Sequence, residues 1–115
     1  MKKEGNMVYS SELLKGSVDT ILLSLIAENP VYGYQIVREL EKKSQGYFVF
    51  KEGTLYPALR RLERKGLVIS KWEDLQSGRK RRYYYITDQG SKFLKDKKAE
   101  WQGFSLAINL IAGLP

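Results

Sequence analysis

Arg79, Lys80, Arg81 and Arg82 stand side by side, and Tyr83, Tyr84 and Tyr85 follow them without a break. A second basic group, Arg60, Arg61 and Arg64, lies upstream in "LRRLERKG". Guanidinium groups present paired N–H donors that match phosphate and carboxylate oxygens, so these residues offer anion recognition rather than bond making. The chain contains neither cysteine nor histidine, which removes thiolate nucleophiles, zinc sites of the Cys/His type and every imidazole-based triad. No "GxxxxGK[ST]" phosphate loop occurs. The carboxylates sit among lysines and arginines on what read as helix surfaces, with no apolar pocket to raise a pKa into a catalytic range. The expectation is a non-enzymatic protein with no cofactor and no metal.

Composition narrows the partner. The chain has 115 residues, 43% of them hydrophobic, which suits one globular fold with a modest core. A formal net charge of +7 directs attention to nucleic acid, an anionic membrane surface or an acidic protein. The longest apolar run, "ILLSLIA", falls far short of the ~20 residues a membrane span needs. The opening "MKKEGNMVYSSE" has no apolar stretch after its charged start and does not read as a signal peptide. A cytoplasmic location is expected, with Met1 and Met7 both open as start residues.

These side chains need elements to position them. From Ser11 onward, Leu14, Val18, Ile21, Leu22, Leu25 and Ile26 recur at helical spacing, and Asn29-Pro30 closes that helix. A second helix is expected from about Tyr32 to Ser44, with Gly33, Ile36, Val37 and Leu40 inward and Tyr34, Gln35, Arg38 and Lys42 outward. The absent side chain of Gly33 would let another helix come close. "YFVF" reads as a short β-prone run. A third helix follows in "KEGTLYPALRRLERKG", with Leu55, Ala58, Leu59 and Leu62 as its buried stripe. At about 100° per residue, its opposite face carries Gly53, Pro57, Arg60 and Arg64, with Arg61 beside them. Local rules put Thr54 at the N-cap and Pro57 in the first turn. A start one turn earlier would leave the Gly53 carbonyl without its helical partner, and both starts stay open.

"LVISKWED" and "RRYYYIT" read as the two strands of a hairpin turned by Ser77-Gly78. Alternation puts Tyr84 and Ile86 on one face and Tyr83 and Tyr85 on the other, so the hairpin tip is basic and its root packs on the helices. Thr87-Asp88 caps a last helix that runs nearly to the end. On it Leu94, Trp101, Phe104, Ile108 and Ile111 form a heptad-like seam, interrupted by Lys97, on a helix longer than so small a domain needs to cover its core. Three helices and a hairpin, in that order, with basic groups on the third helix and the tip, are the order of a winged helix-turn-helix, and the expectation is that it binds duplex DNA. The fold class expected is mainly α with a small β-hairpin, divided into a DNA-binding part over residues 1–87 and a dimerisation helix over 88–115. A winged helix that docks an acidic protein partner is the alternative.

The segments "LKGSVDTILLSLIAENPVYGYQIVREL", "EGTLYPALRRLERKGLV", "GRKRRYYYITDQG" and "EWQGFSLAI" resemble the PadR-like transcriptional regulators over roughly Leu13 to Ile111. The resemblance implies a homodimer held by the C-terminal helix that binds an inverted-repeat operator, mostly as a repressor, and in many members releases it to a small aromatic ligand. It places the recognition helix at Glu52–Lys65, the wing at Gln76–Tyr83 and the "YGY" helix start at Tyr32, Gly33 and Tyr34. The DNA-contacting residues it implies are Tyr34, Gln35, Lys51, Gly53, Thr54, Tyr56, Pro57, Arg60, Arg61, Arg64, Arg79, Lys80, Arg81 and Arg82. The dimer residues are Leu94, Trp101, Phe104, Ile108 and Ile111, and Trp101 is also placed where an aromatic effector would stack. Lys51-Glu52 departs from the Ser-Pro that often starts this helix in the family.

Overall fold

The computed structural model describes residues 16–115, so the part of the first expected helix around Leu14 lies outside the described residues. Gly16, at φ 84°, sits in a left-handed turn that only glycine adopts without strain, and helix α1 (Val18–Glu28) begins after it. Asn29 takes an extended conformation ahead of Pro30 and ends α1, as the pre-proline restriction requires. The chain then runs through β1 (Val31–Tyr32), α2 (Gly33–Lys43), α3 (Glu52–Arg64), β2 (Val68–Asp74), β3 (Lys80–Ile86) and α4 (Asp88–Ala112). This is a winged helix-turn-helix followed by one long helix.

The sheet is antiparallel in the order β1-β3-β2. Strand β1 is only two residues long, pairing Val31 with Tyr84 and Tyr32 with Tyr83. No periodic pattern can announce so short a strand, and the sequence reading missed it. The "YFVF" run is not a strand but an irregular connection between α2 and α3. Its Phe50 is buried in the core and Phe48 packs against that core, so its β-prone composition serves packing.

One core holds the layers together. Leu22, Leu23, Leu25 and Ile26 of α1 meet Ile36 and Leu40 of α2, Leu55, Leu59 and Leu62 of α3, Val68 and Tyr84 of the hairpin, and Leu94 of α4. Two glycines permit close contacts. A Cβ on Gly33 would lie 2.7 Å from Cε1 of Tyr56, so its absence lets α3 seat its tyrosine on the start of α2. A Cβ on Gly90 would lie 2.8 Å from Cγ1 of Ile86 and would strike the Leu67 carbonyl, so α4 can begin only by lying directly against the sheet. Thr87 fixes that start. Its Oγ1 accepts from the Gly90 N–H at 2.9 Å and donates to the Gly66 carbonyl at 2.7 Å.

Helix α4 has two characters. Gly90 and Leu94 are buried in its first turns. Beyond Lys97 its apolar side chains are bare: Trp101, Phe104, Leu106, Ile108, Leu110 and Ile111 are exposed. Leu94 is therefore spent on the chain's own core and is not part of an open seam, because the helix has not yet left the body at that point. Its 25 residues span about 37 Å at 1.5 Å per residue.

Candidate nucleic-acid interface

Helix α3 starts at Glu52, with Lys51 as N-cap and Pro57 inside the helix. Of the two starts left open by the sequence, the earlier one is correct, and Thr54 is a first-turn residue. The Lys51 carbonyl accepts from Thr54 at 3.0 Å and Leu55 at 2.9 Å. No side chain caps the first N–H groups, and Pro57 cannot donate to the Gly53 carbonyl. Gly53 is exposed, and beyond its chain neighbours and its own helix backbone none of the described residues comes within 4 Å of where its Cβ would be. The helix thus presents nearly bare backbone at its leading end.

The α3 wheel sorts the other residues into three directions. Gly53, Pro57, Arg60 and Arg64 project outward opposite the buried Leu55, Ala58, Leu59 and Leu62, and among the described residues none of the four has a carboxylate partner. Arg61 does not join them. One position on, about 100° around the helix, it turns toward α1, where its Nη2 lies 2.9 Å from Asp19 Oδ1 while Lys65 Nζ lies 3.1 Å from Oδ2. Burial alone would raise the pKa of Asp19. The hydrogen bonds and charges of Arg61 and Lys65 outweigh it and hold the carboxyl below its ordinary value. Arg61, expected among the DNA contacts, thus clasps α3 to α1 at the flank of the ridge.

The other flank carries Tyr56 and Glu63 toward the wing. Tyr56 is half-buried against Gly33 rather than projecting outward, so it sets the spacing of α2 and α3. Gln35 is also turned to a local task, its Oε1 accepting from the Tyr32 N–H at 3.4 Å at the start of α2. Tyr34, by contrast, is 58% exposed and faces solvent, with the Arg38 guanidinium 5.9 Å from its ring centroid.

The wing divides the basic run. Its turn is Leu75–Arg79, closed by Leu75 N–H donating to the Arg79 carbonyl at 2.8 Å, with Gly78 at φ 87°. Lys80, Arg81 and Arg82 lie within β3, opposite Asp74, Glu73 and Trp72. Alternation then sends Arg81 to one face and Lys80 and Arg82 to the other. Arg81 stacks 4.1 Å from the Tyr32 ring centroid; Lys80 is near Asp74 at 3.8 Å; Arg82 is tied to Glu63 at 3.4 Å. Tyr84 is buried beneath, and desolvation raises its hydroxyl pKa while the Arg82 charge opposes it. Tyr85 lies on the outer face and hydrogen bonds to Glu73, which raises its pKa.

Because β1 stops at Tyr32, the edge of β3 from Lys80 to Arg82 has no neighbouring strand on that side among the described residues. A cleft of about 580 Å³ opens at that point between the wing and the start of α2, lined by Tyr32, Tyr34, Arg38, Tyr56, Trp72, Tyr84 and all four basic residues of the run. Arg38 and Trp72 were absent from the sequence-derived site. Arg38 stands one turn after Tyr34 on the same helix face, and Trp72 is opposite Arg82 once the hairpin register is counted out. On α4, Trp101 and Phe104 stand 5.8 Å apart between centroids and are both exposed, as are Ile108 and Ile111. Among the described residues no cluster of carboxylates is placed to hold a metal ion, and no helix is long and apolar enough to cross a membrane.

Comparison with known proteins agrees with this geometry. The sequence model described as "Transcriptional regulator PadR-like family" matches residues 22–96. A transcriptional regulator of Mycobacterium tuberculosis is 38% identical over 89 residues, covering 76% of this chain and 79% of its own. Among solved structures, a transcriptional regulator from Clostridium thermocellum superposes with a TM-score of 0.80 at 41% identity, covering 89% of this chain and 96% of its own. A PadR-like transcriptional regulator from Bacillus cereus gives 0.78 at 32% identity, covering 88% and 96%. With an outward basic ridge on α3, a basic wing beside it and this kinship across most of its length, the chain belongs to the PadR-like family of transcriptional regulators.

Proposed function

We propose that the protein is a sequence-specific repressor that binds an inverted-repeat operator as a homodimer. The observation that carries this reading is the outward ridge of α3, where Gly53, Pro57, Arg60 and Arg64 project together with no carboxylate partner among the described residues. The small residues allow the leading end of α3 to approach base edges, with Thr54 at its margin. Arg60 reads a base, and Arg64 and Lys51 take flanking phosphates. Arg79, Lys80 and Arg81 follow the backbone or the adjacent minor groove, where arginine is favoured by the negative potential. The cleft beside them, with Tyr34 and Arg38 on its far wall, seats a phosphate of the same strand.

The dimer reading rests on the bare apolar stripe of α4. Trp101, Phe104, Ile108 and Ile111 leave a contiguous apolar surface that a monomer gains nothing by exposing, and a second copy of α4 would cover it. Two recognition helices would then meet successive major grooves about one turn, or a multiple, apart. Release by a planar aromatic effector would place the ligand against Trp101 and Phe104 at the two-fold axis, acting only if the ligand favours a dimer with differently spaced helices.

The test is selection of bound duplexes from a random pool, followed by competition between the selected and a scrambled duplex. A specificity ratio above about 10³ is expected, and Arg60→Ala should lower it by about 1–3 kcal/mol while changing affinity for the scrambled duplex little. Equal affinity for all duplexes would favour the reading in which the basic face docks an acidic protein.

A further inference from the structure

Glu63 is out of place on charge alone. A carboxylate on the recognition helix, beside the wing, repels a DNA backbone, and neutral or basic residues would serve better there. Its contacts give it another task. Ser70 Oγ of β2 donates to Glu63 Oε2 at 2.8 Å; Arg82 Nε of β3 donates to the same Ser70 oxygen at 2.8 Å; and Arg82 Nη2 lies 3.4 Å from Glu63 Oε1. These three side chains close a ring across α3, β2 and β3. The Ser70 hydroxyl joins the two, accepting from Arg82 and donating to Glu63. The Arg82 guanidinium also lies 5.9 Å from the ring centroids of both Trp72 and Tyr84, so aromatic surface holds the plane that the hydrogen bonds orient.

The position of this ring in the wing matters. Outward of it, the polar contacts of the hairpin are internal, as in Lys80 with Asp74 and Leu75 with Arg79, or go to β1 through Arg81 and Tyr32. The Glu63 ring is thus the outermost hydrogen-bonded link between hairpin and recognition helix. A hairpin anchored only at its root would swing about that root, and a small rotation there would move Arg79 by several ångströms relative to Arg60.

We propose that Glu63, Ser70 and Arg82 form a brace that fixes the wing relative to α3, and that Arg82 is a positioning residue rather than a DNA contact. The brace sets the spacing between base reading by α3 and backbone contact by the wing, and so deepens the operator-binding reading on which it rests.

A double-mutant cycle tests it. Duplex affinity is measured across a salt series for wild type, Glu63→Gln, Arg82→Gln and the double variant, with Arg79→Gln as the comparison. Amide exchange of residues 75–82 is followed in the free proteins. The brace predicts that each single variant weakens binding by about fivefold, that the double is no worse than either, and that all three keep the wild-type salt slope. Exchange across the wing should quicken in all three and stay unchanged in Arg79→Gln. The proposal is overturned if Arg82→Gln flattens the salt slope by about one phosphate while Glu63→Gln tightens binding, the result expected of a direct contact and a repelling charge. Unchanged affinity and exchange in both single variants also overturn it. If Glu63→Gln does not fold, Ser70→Ala breaks the ring from its other member with the same expected readouts. If the wild type binds no duplex, the operator reading fails, and wing exchange in the free proteins still decides the brace.

Discussion

Arginine occurs in two conditions in this molecule. On the flank of α3 that faces α1, Arg61 lies against Asp19 at 2.9 Å and shares it with Lys65; on the outward ridge, Arg60 and Arg64 have no carboxylate beside them among the described residues. The wing repeats the division, with Arg82 tied to Glu63 and Arg81 stacked on an aromatic ring with no acid partner among the described residues. Net charge cannot separate these groups, because a paired arginine and a free one count the same. What differs is where the positive potential reaches solvent. Arg61 and Arg82 tie elements of the body together, and under the proposed function the unpaired arginines are the ones that meet the polyanion.

The comparison breaks first at α4, whose bare half must be covered for two unpaired ridges to act together. Ile108→Asp places a charge in the apolar stripe and should give a monomer by light scattering. Affinity for a two-half-site duplex should fall by about 100-fold or more as avidity disappears, and the circular dichroism of the winged-helix body should be retained. A dimer that persists with full affinity would remove α4 as the interface.

Gly33→Val comes next. A β-branched side chain there drives into the Tyr56 ring and should cost about 1–3 kcal/mol in denaturant unfolding. Tyr56→Ala in the same chain should recover part of the loss by making room, and failure to recover any would mean that the strain lies in the backbone rather than the ring.

The Asp19 clasp should give stability a pH signature. Its pKa is lowered in the folded protein, so the stabilisation is fully present above the ordinary carboxylate value of about 4 and is lost as pH falls through the lower folded value. Asp19→Asn should lower stability at neutral pH and remove this contribution below pH 4, with duplex affinity at neutral pH little changed. Parallel stability curves for the two proteins across that range would show that the clasp contributes nothing.

The smallest effect expected has opposite signs in two assays. Gly53→Ala fills open space on the ridge and should stabilise α3 by about 0.5–1 kcal/mol from helix propensity, while weakening operator binding severalfold. Improved stability with unimpaired binding would show that bare backbone at Gly53 is not needed.

What could be read from sequence follows from how far apart the deciding residues are. The stripes of α1, α2 and α3, the hairpin with its Ser77-Gly78 turn, the close-approach glycine at Gly33 and the Thr87 cap all follow from residues within a turn or two of each other. The start of α3 could not be settled locally, because Pro57 argues for a later start and only packing of Leu55 on the core overrides it. Strand β1 exists because Tyr83 and Tyr84 pair with it, so its own two residues carry no signal. The sorting of arginines depended on the longest separations. Asp19 and Arg61 are 42 residues apart, and Glu63 and Arg82 are 19. A run of basic residues was legible as a basic surface, but which members were already engaged was not.

The division between engaged and free cations is tested most directly by the salt dependence of duplex binding in Arg61→Gln and Arg64→Gln, measured side by side with wild type. Removing one cation from a DNA phosphate flattens the plot of log affinity against log salt by about 0.9. Arg64→Gln is predicted to flatten it by that amount with no change in thermal stability, whereas Arg61→Gln should lower the melting temperature and leave the slope as in wild type. Equal flattening in both variants would contradict the account, since it would place Arg61 on the DNA despite its ion pair with Asp19.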